Sequence, residues 1–191
     1  MIVAACLEHA GVWAMWTYYG AFYVQQHALS TQQIGWVSLA AGLGVLLGQT
    51  AAGGRLGGRP RRLFLLGCLG SGPLIGLSLL LPLPTPAAVA LMAAGWLMHG
   101  LIMVSTVVLL VEQSPAGRAT TLTLYAAAMN LGVALGAALG GLALAQAGYV
   151  ALGLCTLALP LVAAVLVWCG PREKAPASPC PWSSDPGRTP R

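Results

Sequence analysis

All nine lysines and arginines of the 191-residue chain fall in three places, each at the end of a long apolar run. Arg55, Arg59, Arg61 and Arg62 follow the second run, Arg118 follows the fourth, and Arg172, Lys174, Arg188 and Arg191 follow the sixth. The turns after the first, third and fifth runs carry no basic residue. Cytoplasmic loops of membrane proteins carry such an excess of Lys and Arg. The pattern predicts six membrane crossings, with both termini and every basic loop on the cytoplasmic side of a cell membrane, inner or plasma.

Composition points the same way. The chain is 58% hydrophobic and 7% charged, whereas a soluble domain carries about 25% charged residues. A net charge of +5 divided into short clusters beside apolar runs suits anionic lipid headgroups and does not suit nucleic acid. The bilayer is therefore an expected partner. Cys6, Cys68, Cys155 and Cys169 lie inside apolar runs and Cys180 lies in the tail. They read as small apolar filler, and no Cys/His spacing suggests a metal. The first run has no basic region before it and is too long for a signal peptide. It starts almost at Met1, so the chain reads either as a fragment or as one whose start is misassigned.

A helix needs about 20 mostly apolar residues to cross the hydrocarbon core. Six segments qualify, at about 2–24, 34–54, 63–83, 86–111, 119–146 and 149–169. The fold class is therefore an all-α membrane protein with six transmembrane helices. Gln25-Gln26-His27 and Ser30 to Gln33 form a polar turn, and Pro82, Pro84 and Pro86 divide the third segment from the fourth because proline cannot continue a helix ladder. Ser114 to Arg118 divides the fourth from the fifth, and Gln146 to Tyr149 makes a tight link to the sixth. Residues 171–191 carry six prolines in a polar stretch, which predicts a disordered tail.

Gly132, Gly136 and Gly140 recur every four residues, with Gly141 beside them. They lie along one ridge of the fifth helix, where small residues let two backbones approach closely. The ridge reads either as helix packing or as a pivot on which helices rock.

Three motifs resemble one family. Gly54-Arg55-Leu56-Gly57-Gly58-Arg59-Pro60-Arg61-Arg62 resembles the cytoplasmic signature loop of major facilitator superfamily transporters, G-x-L-a-D-R-x-G-R-R. Gly54, Leu56, Arg59, Arg61 and Arg62 match, Gly58 stands in place of the aspartate, and the loop is one residue short. Pro115 to Ala119 resembles the P-x-x-R-G/A turn after the fourth helix of a half. Asn130-Leu131-Gly132 with Gly136 to Gly141 resembles the fifth helix, with Ala137 where antiporters carry proline. The degraded loop and terminal tail are similar to a C-terminal six-helix half, residues 1–170 forming that half; an N-terminal half and a half-size protein are the alternatives. The resemblance implies transport of a small solute by alternating access, a secondary transporter or permease rather than an enzyme. It also implies a partner, either a second six-helix half or another copy of the chain.

In that family the first and fourth helices of a half line the cavity. On the first, His9, Trp13, Trp16 and Gly20 share one face, and Glu8, Met15 and Tyr19 share the next, by the spacing of helical side chains. On the fourth, Met92, Trp96, His99 and Met103 share a face. Glu8, His9, Trp13, Trp16, Tyr19, Trp96, His99 and Met103 are thus the expected substrate or proton pathway. Charged groups at mid-membrane cost about 2.5–3.5 kcal/mol, so Glu8 reads either as a proton, cation or substrate site or as a boundary residue reaching water. His99 reads either as a cavity residue able to couple transport to protons or as a locally hydrogen-bonded packing histidine. No cofactor is expected. The aromatic residues also fit packing and an interfacial belt. Glu112 is expected to pair with Arg118 or a loop arginine, and Asn130 to bond a neighbouring helix.

Two other classes compete. An intramembrane serine protease would need a glycine at Leu69 to complete a motif around Ser71, and no histidine follows in the last two segments. A non-transporting six-span scaffold or a truncated gene product needs no site. The substrate stays open between a sugar, a drug-like amphiphile and an organic anion.

Overall fold

The helix boundaries follow from local chemistry. In the computed structural model, which describes residues 1–54, 57–113 and 117–170, α1 spans Ile2–His27 and ends on Ala28 in the left-handed region, φ 52°. α2 spans Thr31–Gly53 and opens with a capping box. Ser30 N donates to Gln33 Oε1 at 2.8 Å and Gln33 N donates back to Ser30 Oγ at 3.4 Å. These reciprocal bonds satisfy N–H groups that a helix start leaves unpaired. The expected polar turn is accordingly shorter: Gln25 to His27 belong to α1, and Thr31 to Gln33 belong to α2. α3 spans Pro60–Leu80 with proline in its first turn, where the missing N–H costs nothing. α4 spans Thr85–Gln113.

α5 spans Arg118–Cys169, a run of 52 residues. At 1.5 Å per residue a straight helix of this length would reach about 78 Å, more than twice the hydrocarbon thickness of about 30 Å. It does not run straight: Ala147 (φ −144°, ψ 20°) and Gly148 (φ 68°, ψ −157°) leave helical geometry. Gly148 takes a positive φ that only glycine adopts freely. Gly136 lies against Ala10, and Pro160 lies against Gly11. These two α5 residues are each twelve positions from Gly148 yet sit at one level of α1, so the chain doubles back at the break. The described residues therefore form five helical elements, and the sixth expected segment is the returning part of α5.

α1 packs on α5, α2 on α4, and α3 on both α4 and α5. Two seams are built from small residues. A methyl group added to Gly132 would lie 2.6 Å from the Cys6 carbonyl oxygen and one on Gly140 3.1 Å from that of Ala14, while one on Gly136 would collide with that of Ala10. Gly44 and Gly48 meet the carbonyls of Ala93 and Leu97 in the same manner. Gly141 faces Tyr18, whose hydroxyl donates to Ala137 O at 2.9 Å. The glycine ridge of the fifth segment is thus an α1 contact.

α2, α3, α4 and α5 are long and apolar enough to cross a membrane. α1 is long enough but falls short in apolar composition, unlike the expectation for the first segment. Glu8, His9, Gln25, Gln26 and its tyrosines and tryptophans lower its average, and its polar groups are instead enclosed by the bundle.

Candidate functional site

α1 and α4 meet through one buried polar cluster. Glu8 and His9 are fully buried, and His99 is 1% exposed. His99 Nδ1 lies 2.8 Å from Glu8 Oε1, a hydrogen bond that joins residues 91 positions apart in the chain. His9 Nδ1 donates to Ala5 O at 2.9 Å and approaches Glu8 Oε2 at 3.0 Å. The second approach is a charge contact only, since Nδ1 is already engaged and Oε2 accepts no hydrogen bond among the described residues. The two imidazole rings meet edge to face at 5.3 Å, and Tyr125 of α5 stands edge-on to His9 at 6.4 Å. Glu8 therefore does not reach water at the membrane boundary; two histidines surround it. These are the carboxyl–imidazole contacts formed among the described residues.

Beyond His99 the cluster opens into a cavity of about 310 Å³ lined by Trp13 and Trp16 of α1, Ala41, Gly42, Val45 and Gln49 of α2, and Trp96, His99 and Met103 of α4. Trp96 contacts Trp16 at 4.7 Å and Trp13 at 6.3 Å, ring centre to ring centre, and stands edge-on to His99 at 5.2 Å. Tyr19 stacks on Trp16 at 4.6 Å, and its hydroxyl shares a 2.5 Å hydrogen bond with Ser38 of α2. Gln49 Nε2 donates to Met103 Sδ at 3.4 Å. The indole N–H groups of Trp13 and Trp96 have no hydrogen-bond partner among the described residues.

The expected pathway residues thus come together: Glu8, Trp13, Trp16, Trp96, His99 and Met103 in or beside the cavity, with Tyr19 behind Trp16. His9 turns toward α5 and stays out of the lining. Gln49 was not anticipated. Its signal in the sequence is a lone amide in the apolar run of α2. Met92, on the anticipated face of α4, instead accepts the Tyr23 hydroxyl at 3.7 Å.

Two polar expectations fail. Glu112 is exposed and forms no ion pair among the described residues. Asn130 is exposed on α5 rather than bonded to a neighbouring helix, because the glycine ridge places Gly132, not Asn130, against α1.

At the basic end of the bundle the signature loop is only partly described. Leu56, Arg55 and the Ser114-Pro115-Ala116 turn lie outside the described residues, as do residues 171–191. Gly54 closes α2, and Arg59 precedes α3. Arg62 is exposed. Arg61 donates through Nη2 to the carbonyls of Val167 at 2.6 Å, Gly170 at 3.0 Å and Trp168 at 3.3 Å. A guanidinium at the C-terminal end of a helix satisfies carbonyls that lack helical partners and faces the negative end of the dipole. Arg61 thus ties the start of α3 to the end of α5.

The model of the Major Facilitator Superfamily matches residues 1–190. The chain belongs to the Major Facilitator Superfamily. It is a multi-pass membrane protein with a transporter-type function, and members of the family are transporters rather than enzymes. No curated protein and no solved structure matches it.

Proposed function

We propose that this chain acts as one six-span half, the C-terminal one, of a secondary transporter that moves a small solute across the cell membrane by alternating access. The observation that carries this reading is the cavity walled by α1, α2 and α4 with a buried carboxyl–imidazole pair at its edge. Ionisable groups inside a membrane bundle mark substrate and ion pathways, and transporter sites form near the midplane between repeats.

An exposed face of α5 needs a cover. Asn130 is exposed amid Leu131, Leu135 and Leu139 on α5, and lipid offers an amide no hydrogen-bond partner. A second six-helix half, or another copy of this chain, would supply one. Both termini then lie on the cytoplasmic side with the arginines. There Arg59 and Arg62 are the exposed part of a gating loop that Gly54 and Leu56 complete, and Arg61 anchors it.

In this mechanism the two halves rock about the midplane, and the Gly132–Gly136–Gly140 seam holds α1 to α5 as a unit during the motion. Protons bind at the Glu8–His99 pair. A proton arriving there changes the charge at the cavity wall, which couples solute release to the proton gradient.

The test is reconstitution of the purified chain into liposomes, with solute uptake measured beside oligomeric state. Uptake is expected only where the chain pairs with another half or with itself. Uptake by a strict monomer contradicts the half-transporter reading.

A further inference from the structure

We infer that the aromatic cavity takes an amphiphilic organic cation, an inference that rests on the transporter reading and names its substrate class. All nine lysines and arginines lie outside the apolar runs, so no fixed positive charge faces the cavity. An organic anion would find only the His99 ring, and that ring is already bonded to Glu8. A sugar needs many hydrogen-bonding partners, and the polar lining consists of Gln49, His99 and indole N–H groups.

What the cavity does offer is ring surface and a carboxyl. Trp13, Trp16 and Trp96 stand within 4.7–6.3 Å of one another, ring centre to ring centre. Cations are held over aromatic faces, most strongly over tryptophan and most strongly when water is excluded. Glu8 lies one hydrogen bond behind the wall, at 2.8 Å from His99. It supplies negative charge at a depth where screening is weak. Apolar substituents on the cation suit Val45, Ala41 and Met103 on the remaining wall. Cation and proton then favour opposite states of the Glu8–His99 pair. Among the described residues, His9 from α1, Tyr125 from α5 and Cys68 from α3 are the other titratable side chains around Glu8. The arrangement is that of an exchanger in which a bound cation displaces a proton.

The test uses the whole chain in phosphatidylcholine nanodiscs, with empty nanodiscs as blank, and isothermal titration at pH 8. Three probes of similar shape are compared: 1-methyl-4-phenylpyridinium, neutral 4-phenylpyridine and 4-phenylbenzoate. The cation is expected to bind at least about tenfold tighter than either analogue, the scale of a desolvated cation–π contact. Trp96→Leu and Trp16→Leu are each expected to weaken it by about tenfold. Glu8→Gln is expected to weaken it and to abolish proton release on binding, measured by running the titration in two buffers of different ionisation enthalpy. Circular dichroism and gel filtration identify any variant that fails to fold; the three-probe comparison on the unaltered chain decides the matter without variants. Equal binding of the neutral or anionic analogue overturns the inference, and tight binding of the anion would assign recognition to the indole N–H groups instead. The two readings fail separately. Uptake of some other solute without cation binding removes this inference and leaves the transporter. Cation binding with no uptake by any assembly of the chain does the reverse.

Discussion

α1 and α2 adjoin in the chain and are similar in length, 26 and 23 residues, yet they treat polarity in opposite ways. α1 carries Glu8 and His9 at 0% exposure, while α2 exposes Trp36 at 65% and Leu47 at 58%. In water this pair would be inside out. With a bilayer as solvent it is the ordered arrangement: hydrocarbon accepts Leu39, Leu43, Leu46 and Leu47, and only another helix satisfies a carboxyl. Buried apolar residues therefore say little about importance here, and buried polar ones say a great deal.

The sharpest way to break that comparison is to truncate one residue on each helix. Glu8→Ala leaves His99 without its partner inside the bundle, and breaking a buried pair costs about 3–5 kcal/mol. Leu43→Ala on the exposed face is expected to stay within about 0.5 kcal/mol. Denaturant unfolding in mixed micelles measures both. Equal losses would mean that the polar core contributes no more than the outer face.

The same contrast holds for glycines. Gly136→Leu drives a side chain into the Ala10 backbone, and overpacking of that kind costs about 3 kcal/mol. A methyl group added at Gly35 would meet no neighbouring group within 4 Å, so Gly35→Leu is expected to be neutral or to stabilise by up to about 1 kcal/mol through helix propensity. Thermal melts of the two variants check this, and a destabilised Gly35→Leu would reveal a neighbour covering that face. Among the arginines the effect is smaller. Arg61→Ala removes charged hydrogen bonds to the end of α5 and is expected to cost about 1.5–3 kcal/mol, while Arg62→Ala on the exposed side is expected to change stability by under about 0.5 kcal/mol. Amide exchange of Leu166 to Gly170 reads the local loosening; unchanged protection in Arg61→Ala would show that the staple does not hold that end.

Much of the fold was legible because apolar length and proline chemistry act locally. Pro82 and Pro84 separate the third helix from the fourth in the sequence as they do in the structure. The capping box at Ser30 and Gln33 was legible in principle, but its polar residues read as loop until their reciprocal bonds are considered. The break at Gln146 to Tyr149 was expected, yet Ala147 and Gly148 turn the chain so tightly that helix persists on both sides and one element results.

The site was legible in its residues and not in its pairings. Helical spacing grouped Trp96, His99 and Met103, and it grouped Trp13 with Trp16. It gave no sign that His99 meets Glu8, because that contact depends on how α4 leans on α1 and not on either sequence. Gln49 was missed for the same reason: α2 is brought to the cavity by its close packing on α4 at Gly44 and Gly48. Asn130 misled because a helix interior position was read as a contact, whereas the ridge two residues on decides which face turns inward.

The central claim is that the enclosed Glu8–His99 pair drives solute movement while the exposed apolar faces only meet their surroundings. The most direct measurement is proton-driven uptake in liposomes by the unaltered chain, Glu8→Gln and Leu43→Ala, each at matched protein density and oligomeric state. The account predicts uptake at least about tenfold lower in Glu8→Gln, the scale expected for loss of a positioned proton-transfer group, and near-normal uptake in Leu43→Ala. Full proton-driven uptake by Glu8→Gln would contradict it.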